Sequence, residues 1–139
     1  MSANQNLKTP SIEGKPPDPQ DGSAIRNRVP SYAPPTGTIT FLFTDIEGST
    51  ALWEDDPEAM QGAVARQEAI VRETMAGHGG YVYKMIGDAF QVAFSTAPAA
   101  LAAAVDTQRA LHTEPWRTIG RLRVRMALHT GITEERSDD

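Results

Sequence analysis

Thr38-Ile-Thr-Phe-Leu-Phe-Thr-Asp-Ile-Glu-Gly-Ser-Thr50 runs from a strand-like segment into a turn. Its first seven residues are β-branched or aromatic, apart from Leu42, and Ile39, Phe41 and Phe43 fall on one face, so a first strand is expected from Gly37 to Thr44. The strand ends at Asp45-Ile46-Glu47-Gly48-Ser49-Thr50, where Gly48 permits a sharp reversal. Ser49 or Thr50 can cap a short helix carrying Leu52 and Trp53.

Downstream, Asp56-Pro57 is a helix start, and Met60, Val64, Val71 and Met75 recur at helical spacing until Gly77 and Gly79-Gly80 stop it. Residues 81–86 and 89–94 read as two strands around Gly87-Asp88, a pair suited to a two-residue hairpin with glycine first. Ser95-Thr96 caps a third helix with Pro98 in its first turn, and Leu101, Ala104, Val105 and Leu111 mark its expected buried stripe. A fourth strand is expected over 122–128, with Leu122, Val124, Met126 and Leu128 on one face and Arg123 and Arg125 on the other. The order βααββαβ predicts an α+β, ferredoxin-like sandwich with helices on one face of an antiparallel sheet. Right-handed crossovers place the first strand beside the third, which brings Asp45 and Asp88 to the same edge.

Composition sets the frame for that fold. The 139 residues are 40% apolar and allow one packed domain. Residues 1–36 hold seven of the ten prolines and only nine of the apolar residues, without periodicity, and are expected to be a disordered tail; the domain is expected over 37–139. The tail carries net charge +1 and the domain −6, which argues against non-specific nucleic-acid binding. The absence of cysteine excludes disulfides and thiolate metal sites. No apolar run reaches membrane-spanning length and the first residues lack a secretory pattern, so a cytoplasmic location is expected.

Two carboxylates brought together beside a glycine turn repel one another unless a proton or a divalent cation intervenes, and hard oxygen donors suit Mg²⁺ or Mn²⁺. Gly48, Ser49 and Thr50 follow at once, and the backbone N–H groups of this turn entering a helix could receive phosphate oxygens beside that cation. The pattern is not a Walker A loop, because GxxxxGK[ST] is absent. The same residues, taken singly, also fit a turn-forming Asp45, an ordinary cap at Ser49 or Thr50, and an ordinary hairpin turn. His129 reads as the end of a strand, His78 and His112 as helix-end residues, and Trp53 and Trp116 as packing; Arg121, Arg123 and Arg125 read first as a solvated sheet face, with partners for the acidic body or a dimer surface as the alternatives.

Residues 40–50 (TFLFTDIEGST), 84–90 (KMIGDAF) and 123–131 (RVRMALHTG) together resemble the class III adenylate/guanylate cyclase catalytic domain. The resemblance implies a palm-like domain in which Asp45 and Asp88 are the metal-binding aspartates and the Ile46 carbonyl also reaches a metal. It further implies that residues 47–50 carry the triphosphate and that Lys84 contacts the base, favouring ATP over GTP. In the family's two-metal scheme, one ion activates the ribose 3′-hydroxyl for in-line attack on the α-phosphorus and the other holds the triphosphate, giving cyclic AMP and pyrophosphate. Family sites form between two head-to-tail protomers, which implies a homodimer or a heterodimer with a complete cyclase.

Family domains continue past the fourth strand, and their asparagine and arginine that stabilise the transition state come from that later part. Only eight residues follow Gly131, and none of Ile132 to Asp139 can be assigned to those roles. The expectation is a C-terminally incomplete domain, inactive or weak alone. The alternatives are a non-catalytic nucleotide- and metal-binding module that pairs with a complete cyclase, and an inactive fragment.

Overall fold

Residues 33–117 and 119–134 are described by a computed structural model. Apart from residues 33–36, the expected disordered tail lies outside the described residues. Along the chain run β1 (Gly37–Ile46), α1 (Ser49–Asp55), α2 (Pro57–Gly77), β2 (Tyr81–Ile86), β3 (Ala89–Phe94), α3 (Ala97–Thr113) and β4 (Val124–Thr133). The strands form one sheet in the order β2-β3-β1-β4, and each neighbouring pair is antiparallel. This is the α+β palm arrangement that the order of elements predicts.

Local chemistry sets the boundaries. The Asp56 carboxylate accepts from the Ala59 N–H at 3.0 Å with Pro57 as the first helical residue, so α2 begins with one orphan donor satisfied and one never present. The Thr96 hydroxyl caps α3 in the same way, accepting from Ala99 N–H at 3.3 Å. At the β2–β3 turn, Gly87 takes φ 59°, a conformation open to glycine at little cost, and Ile86 pairs with Ala89 across the two-residue loop.

The core lies between the sheet and the helices in two clusters. Leu42, Val71, Met75, Phe90, Val92 and Phe94 fill one, and Ile46, Met60, Ile70, Leu111, Leu122 and Val124 fill the other. At Gly80 the chain passes so close to Phe94 that a Cβ would sit 2.7 Å from the ring, which fixes how α2 hands over to β2.

Several faces differ from the sequence reading. Ile39, Phe41 and Phe43 share a face of β1, as expected, and it is the face away from the helices, on which Ile39 is nonetheless buried; Thr40, Leu42, Thr44 and Ile46 are buried beneath the helices. Phe41 instead meets Phe43 and Tyr83, at centroid distances of 6.0 and 5.8 Å. On α3 the buried stripe is Ala100, Ala103, Ala104, Thr107 and Leu111, whereas Leu101 and Val105 are 57% and 40% exposed. Small alanines let α3 approach the sheet closely, which rotates the larger side chains outward. β4 begins two residues later than expected and runs to Thr133, so His129 lies in mid-strand. Trp116 packs against the second cluster and donates to the Leu111 carbonyl at 2.9 Å, but Trp53 is exposed on α1, a helix with no buried residue. His78 ends α2, with Nε2 2.7 Å from Asp106 on α3, and His112 lies in the last turn of α3.

Two side chains yield stability predictions. Gln67 on α2 is fully buried, and neither atom of its amide finds a hydrogen-bond partner among the described residues. A buried polar group without a partner costs about 1–3 kcal/mol. Gln67→Leu is therefore expected to stabilise the fold by about 1–2 kcal/mol and so to raise the urea midpoint at unchanged slope; a lower midpoint would contradict this. Arg66 on α2 grips Glu114 after α3 through two bonds of 2.8 and 2.9 Å, and the guanidinium hydrogen bond holds the Glu114 carboxyl below the ordinary glutamate value. A depressed carboxylate stabilises the fold at neutral pH and loses that contribution as pH falls through its folded value. NMR titration should find Glu114 ionising below a normal glutamate, and Arg66→Ala should return it to normal.

Candidate active site

The ladder between β1 and β3 runs from Thr40 opposite Phe94 to Phe43 opposite Gln91 and then stops, while β1 continues to Ile46 against β4. At the next position the Phe90 N–H donates to the Thr44 hydroxyl at 3.0 Å, a buried side-chain bond in place of a ladder bond. Beyond it, the end of β1 and the β2–β3 tip are no longer joined by backbone pairing. Asp45 lies on one and Asp88 on the other, so the two aspartates flank one break at one edge of the sheet, as the topology requires.

The turn after β1 completes this edge. Glu47 N–H donates to the Arg123 carbonyl at 2.9 Å, and Gly48 then takes φ 68° as the N-cap of α1. The cap is thus Gly48 and not Ser49 or Thr50, which are the first two helical residues; no side chain caps the first turn. Its N–H groups are left for solvent or a ligand. Asp45, Ile46, Glu47, Gly48, Ser49, Thr50 and Asp88 are all gathered at this end. Lys84 is not: it pairs with Gln91, which pairs with Phe43, so it lies on the open sheet face two strand spacings from β1, roughly 10 Å away.

The arginines of β4 and its approach are more than a solvated face. Arg125 lies opposite Asp45 in the β1–β4 register and its Nη2 donates to Asp45 Oδ2, while Arg123 Nη1 stands 3.9 Å from Glu47 Oε1. Both members of the Arg125–Asp45 pair are half exposed, so it adds at most about 1 kcal/mol to stability. Its effect is local: the carboxylate expected to hold a metal already faces a cation. Cross-strand pairing of 45 with 125 was the signal available in the sequence, but it required the β4 register. Among the described residues, no group of three or more His, Asp or Glu side chains converges.

The adenylate and guanylate cyclase catalytic domain model matches residues 31–136. The chain belongs to this family. As a cyclase-family chain it is 41% identical over 96 residues to an adenylate cyclase of Lachancea kluyveri, covering 69% of this chain and 5% of that protein. It is 40% identical over 110 residues to an uncharacterised Mycobacterium tuberculosis protein, covering 78% of this chain and 36% of that one. A Trypanosoma brucei adenylate cyclase solved in its monomeric state superposes with a TM-score of 0.72 at 29% identity, covering 77% of this chain and 62% of the other. The cyclase-family chain thus spans only a small part of the yeast enzyme and about a third of the mycobacterial protein. Among the described residues, no helix is long and apolar enough to cross a membrane.

The Thr44 hydroxyl is the last tie between β1 and β3 before the aspartates. Thr44→Val keeps the shape and leaves the buried Phe90 N–H without an acceptor, and is expected to cost about 1–3 kcal/mol. Hydrogen exchange at Phe90 should accelerate in Thr44→Val and stay slow in Thr44→Ser; equal protection in all three proteins would contradict the role assigned to the hydroxyl.

Proposed function

We infer that this chain supplies the metal and triphosphate half of a nucleotidyl cyclase site that converts ATP to 3′,5′-cyclic AMP and pyrophosphate in cytoplasmic cyclic-nucleotide signalling. The observation that supports this reading is that, in a cyclase-family chain, the end of β1 with Asp45 and the Gly48 turn lies at the same end of the sheet as the β2–β3 tip with Asp88. The donor set fits Mg²⁺ or Mn²⁺: two carboxylates and the Ile46 carbonyl are hard oxygens, and a set this small leaves positions for water and phosphate oxygens, as Mg²⁺ requires. Two such ions, when bound, would activate the ribose 3′-hydroxyl and offset phosphate charge.

The chain's own residues prepare and orient. Arg125 pairs with Asp45, so a divalent cation at this edge would compete with the guanidinium for the carboxylate. The first-turn N–H groups after Gly48 have no side-chain cap, and residues 47–50 would hold the triphosphate there. The ribose O3′–Pα bond would form as the Pα–O bond to pyrophosphate breaks. Lys84 stands two strand spacings from β1 on the open sheet face, and its proposed contact is with the base in a partner's site, since family sites form between two protomers. A dimer follows, either of two copies or with a complete cyclase, and in the second case the partner provides the transition-state groups. The aromatic patch of Phe41, Phe43 and Tyr83, on the same open face as Asp45 and Lys84, suits that contact.

Calorimetry with a non-hydrolysable ATP analogue and Mn²⁺ should give a binding signal that Asp45→Ala and Asp88→Ala each reduce at least tenfold. No heat, or heat insensitive to both changes, would sink the reading. The purified chain alone should make little cyclic AMP. Co-expression with a cyclase whose metal aspartates are replaced by alanine should restore synthesis if the mixed dimer forms.

A further inference from the structure

Two surface features are complementary to one another and cannot meet within one copy of the chain as it is folded. The first is a depression of about 530 Å³ between α3 and β4, where Gln108 joins the two elements by donating to the Val124 carbonyl at 2.7 Å. Its size is that of pockets that take in an organic group, roughly 300–1,000 Å³. Ala104 and Val105 of α3 and Met126 of β4 make the lining apolar, and Arg109 and His112 follow toward the C-terminal end of α3. The carboxylate nearest Arg109 is Asp106 at 3.6 Å, which His78 already engages at 2.7 Å, and His112 pairs with no carboxylate among the described residues. The second feature is α1, a helix that buries no residue. Leu52 packs against the second core cluster, which leaves Trp53 exposed, and Glu54 and Asp55 follow it without a cation to pair with among the described residues.

We propose that these are the two halves of one self-interaction: α1 of one copy seats Trp53 in the α3–β4 depression of a second copy, against Val105 and Met126, while Glu54 and Asp55 face Arg109 and His112. Charge and shape together select this occupant. The depression calls for an apolar group flanked by carboxylates, and Trp53 is the exposed apolar side chain followed directly by two unpaired ones among the described residues. A tryptophan entering an apolar pocket, with an opposite charge at the rim, is also the usual composition of a binding hot spot. Each copy offers both halves, so the contacts either close reciprocally in a dimer or run on into a longer assembly. The interaction shares no residue with the open-face patch of Phe41, Phe43 and Tyr83, and it does not rest on the catalytic reading.

Two variants of the 139-residue chain, each spoiling a different half, test this without metal or nucleotide. Trp53→Ala removes the inserted side chain and keeps the depression; Val105→Glu fills the depression with charge and keeps Trp53. Both replaced side chains are exposed, and thermal melting checks that the variants fold, with Arg109→Glu as the substitute if Val105→Glu does not. Light scattering should find the unaltered chain associating as its concentration rises, and each variant associating with itself at least about tenfold more weakly. Mixing the two variants should restore a one-to-one complex, because one intact half remains on each, and its tryptophan emission should shift to the blue as Trp53 leaves water. An unaltered chain that stays monomeric overturns the proposal. Variants that associate like the unaltered chain, or a mixture no tighter than either variant alone, also overturn it, since association would then run through another surface. None of these outcomes alters the Asp45-dependent nucleotide signal, so failure here and failure of the catalytic reading remain distinct.

Discussion

The hydrogen bond from Phe90 N–H to the Thr44 hydroxyl marks where backbone pairing between β1 and β3 gives way. Had the ladder run on, the hairpin tip would be zipped against the end of β1 and the edge between Asp45 and Asp88 would be closed. Had it stopped earlier, nothing would hold the two aspartates in register. A buried threonine oxygen satisfies the last donor without supplying the next one, so the sheet stays joined up to the site and opens at it. The Gly48 turn and the Arg125–Asp45 pair depend on that placement, since both are reached from the free end of β1.

The elements were legible in the sequence because their boundaries are chemical. Asp56-Pro57, Thr96 with Pro98, and Gly87-Asp88 each demand one local geometry, and each takes it. The topology followed from the order of elements, and the shared edge of Asp45 and Asp88 followed from the topology. Faces were harder to read. β1 is apolar on both sides, and its aromatic residues outweigh Leu42 and Ile46 by size, although the open face is the one they occupy. In α3 the rule that large residues point inward fails because Ala100, Ala103 and Ala104 serve close approach to the sheet.

The site was readable as a list of residues and less so as a set of contacts. Nothing local to Arg125 indicates that it meets Asp45, because the pairing depends on a strand register between residues 80 positions apart. Gln67 shows the opposite case: its place on the buried face of α2 follows from helical spacing with Met60, Ile70 and Val71, but an amide there contradicts the usual choice of residue. Lys84 falls between the two. Its motif was visible, and only the pairing through Gln91 to Phe43 shows how far it stands from the aspartates.

The central position of β1 has a consequence in time. Of the described strands it is the first to be synthesised, yet its partner β3 begins with Ala89 and its other partner, β4, extends to Thr133, which lies opposite Gly37. At about 5–20 residues per second, an aromatic strand with two unsatisfied edges would wait for roughly 5–20 s on the ribosome before both neighbours exist. Contacts this remote in sequence also slow folding after release. The strand that organises the finished domain is therefore the one most exposed to wrong pairing while the domain is being made.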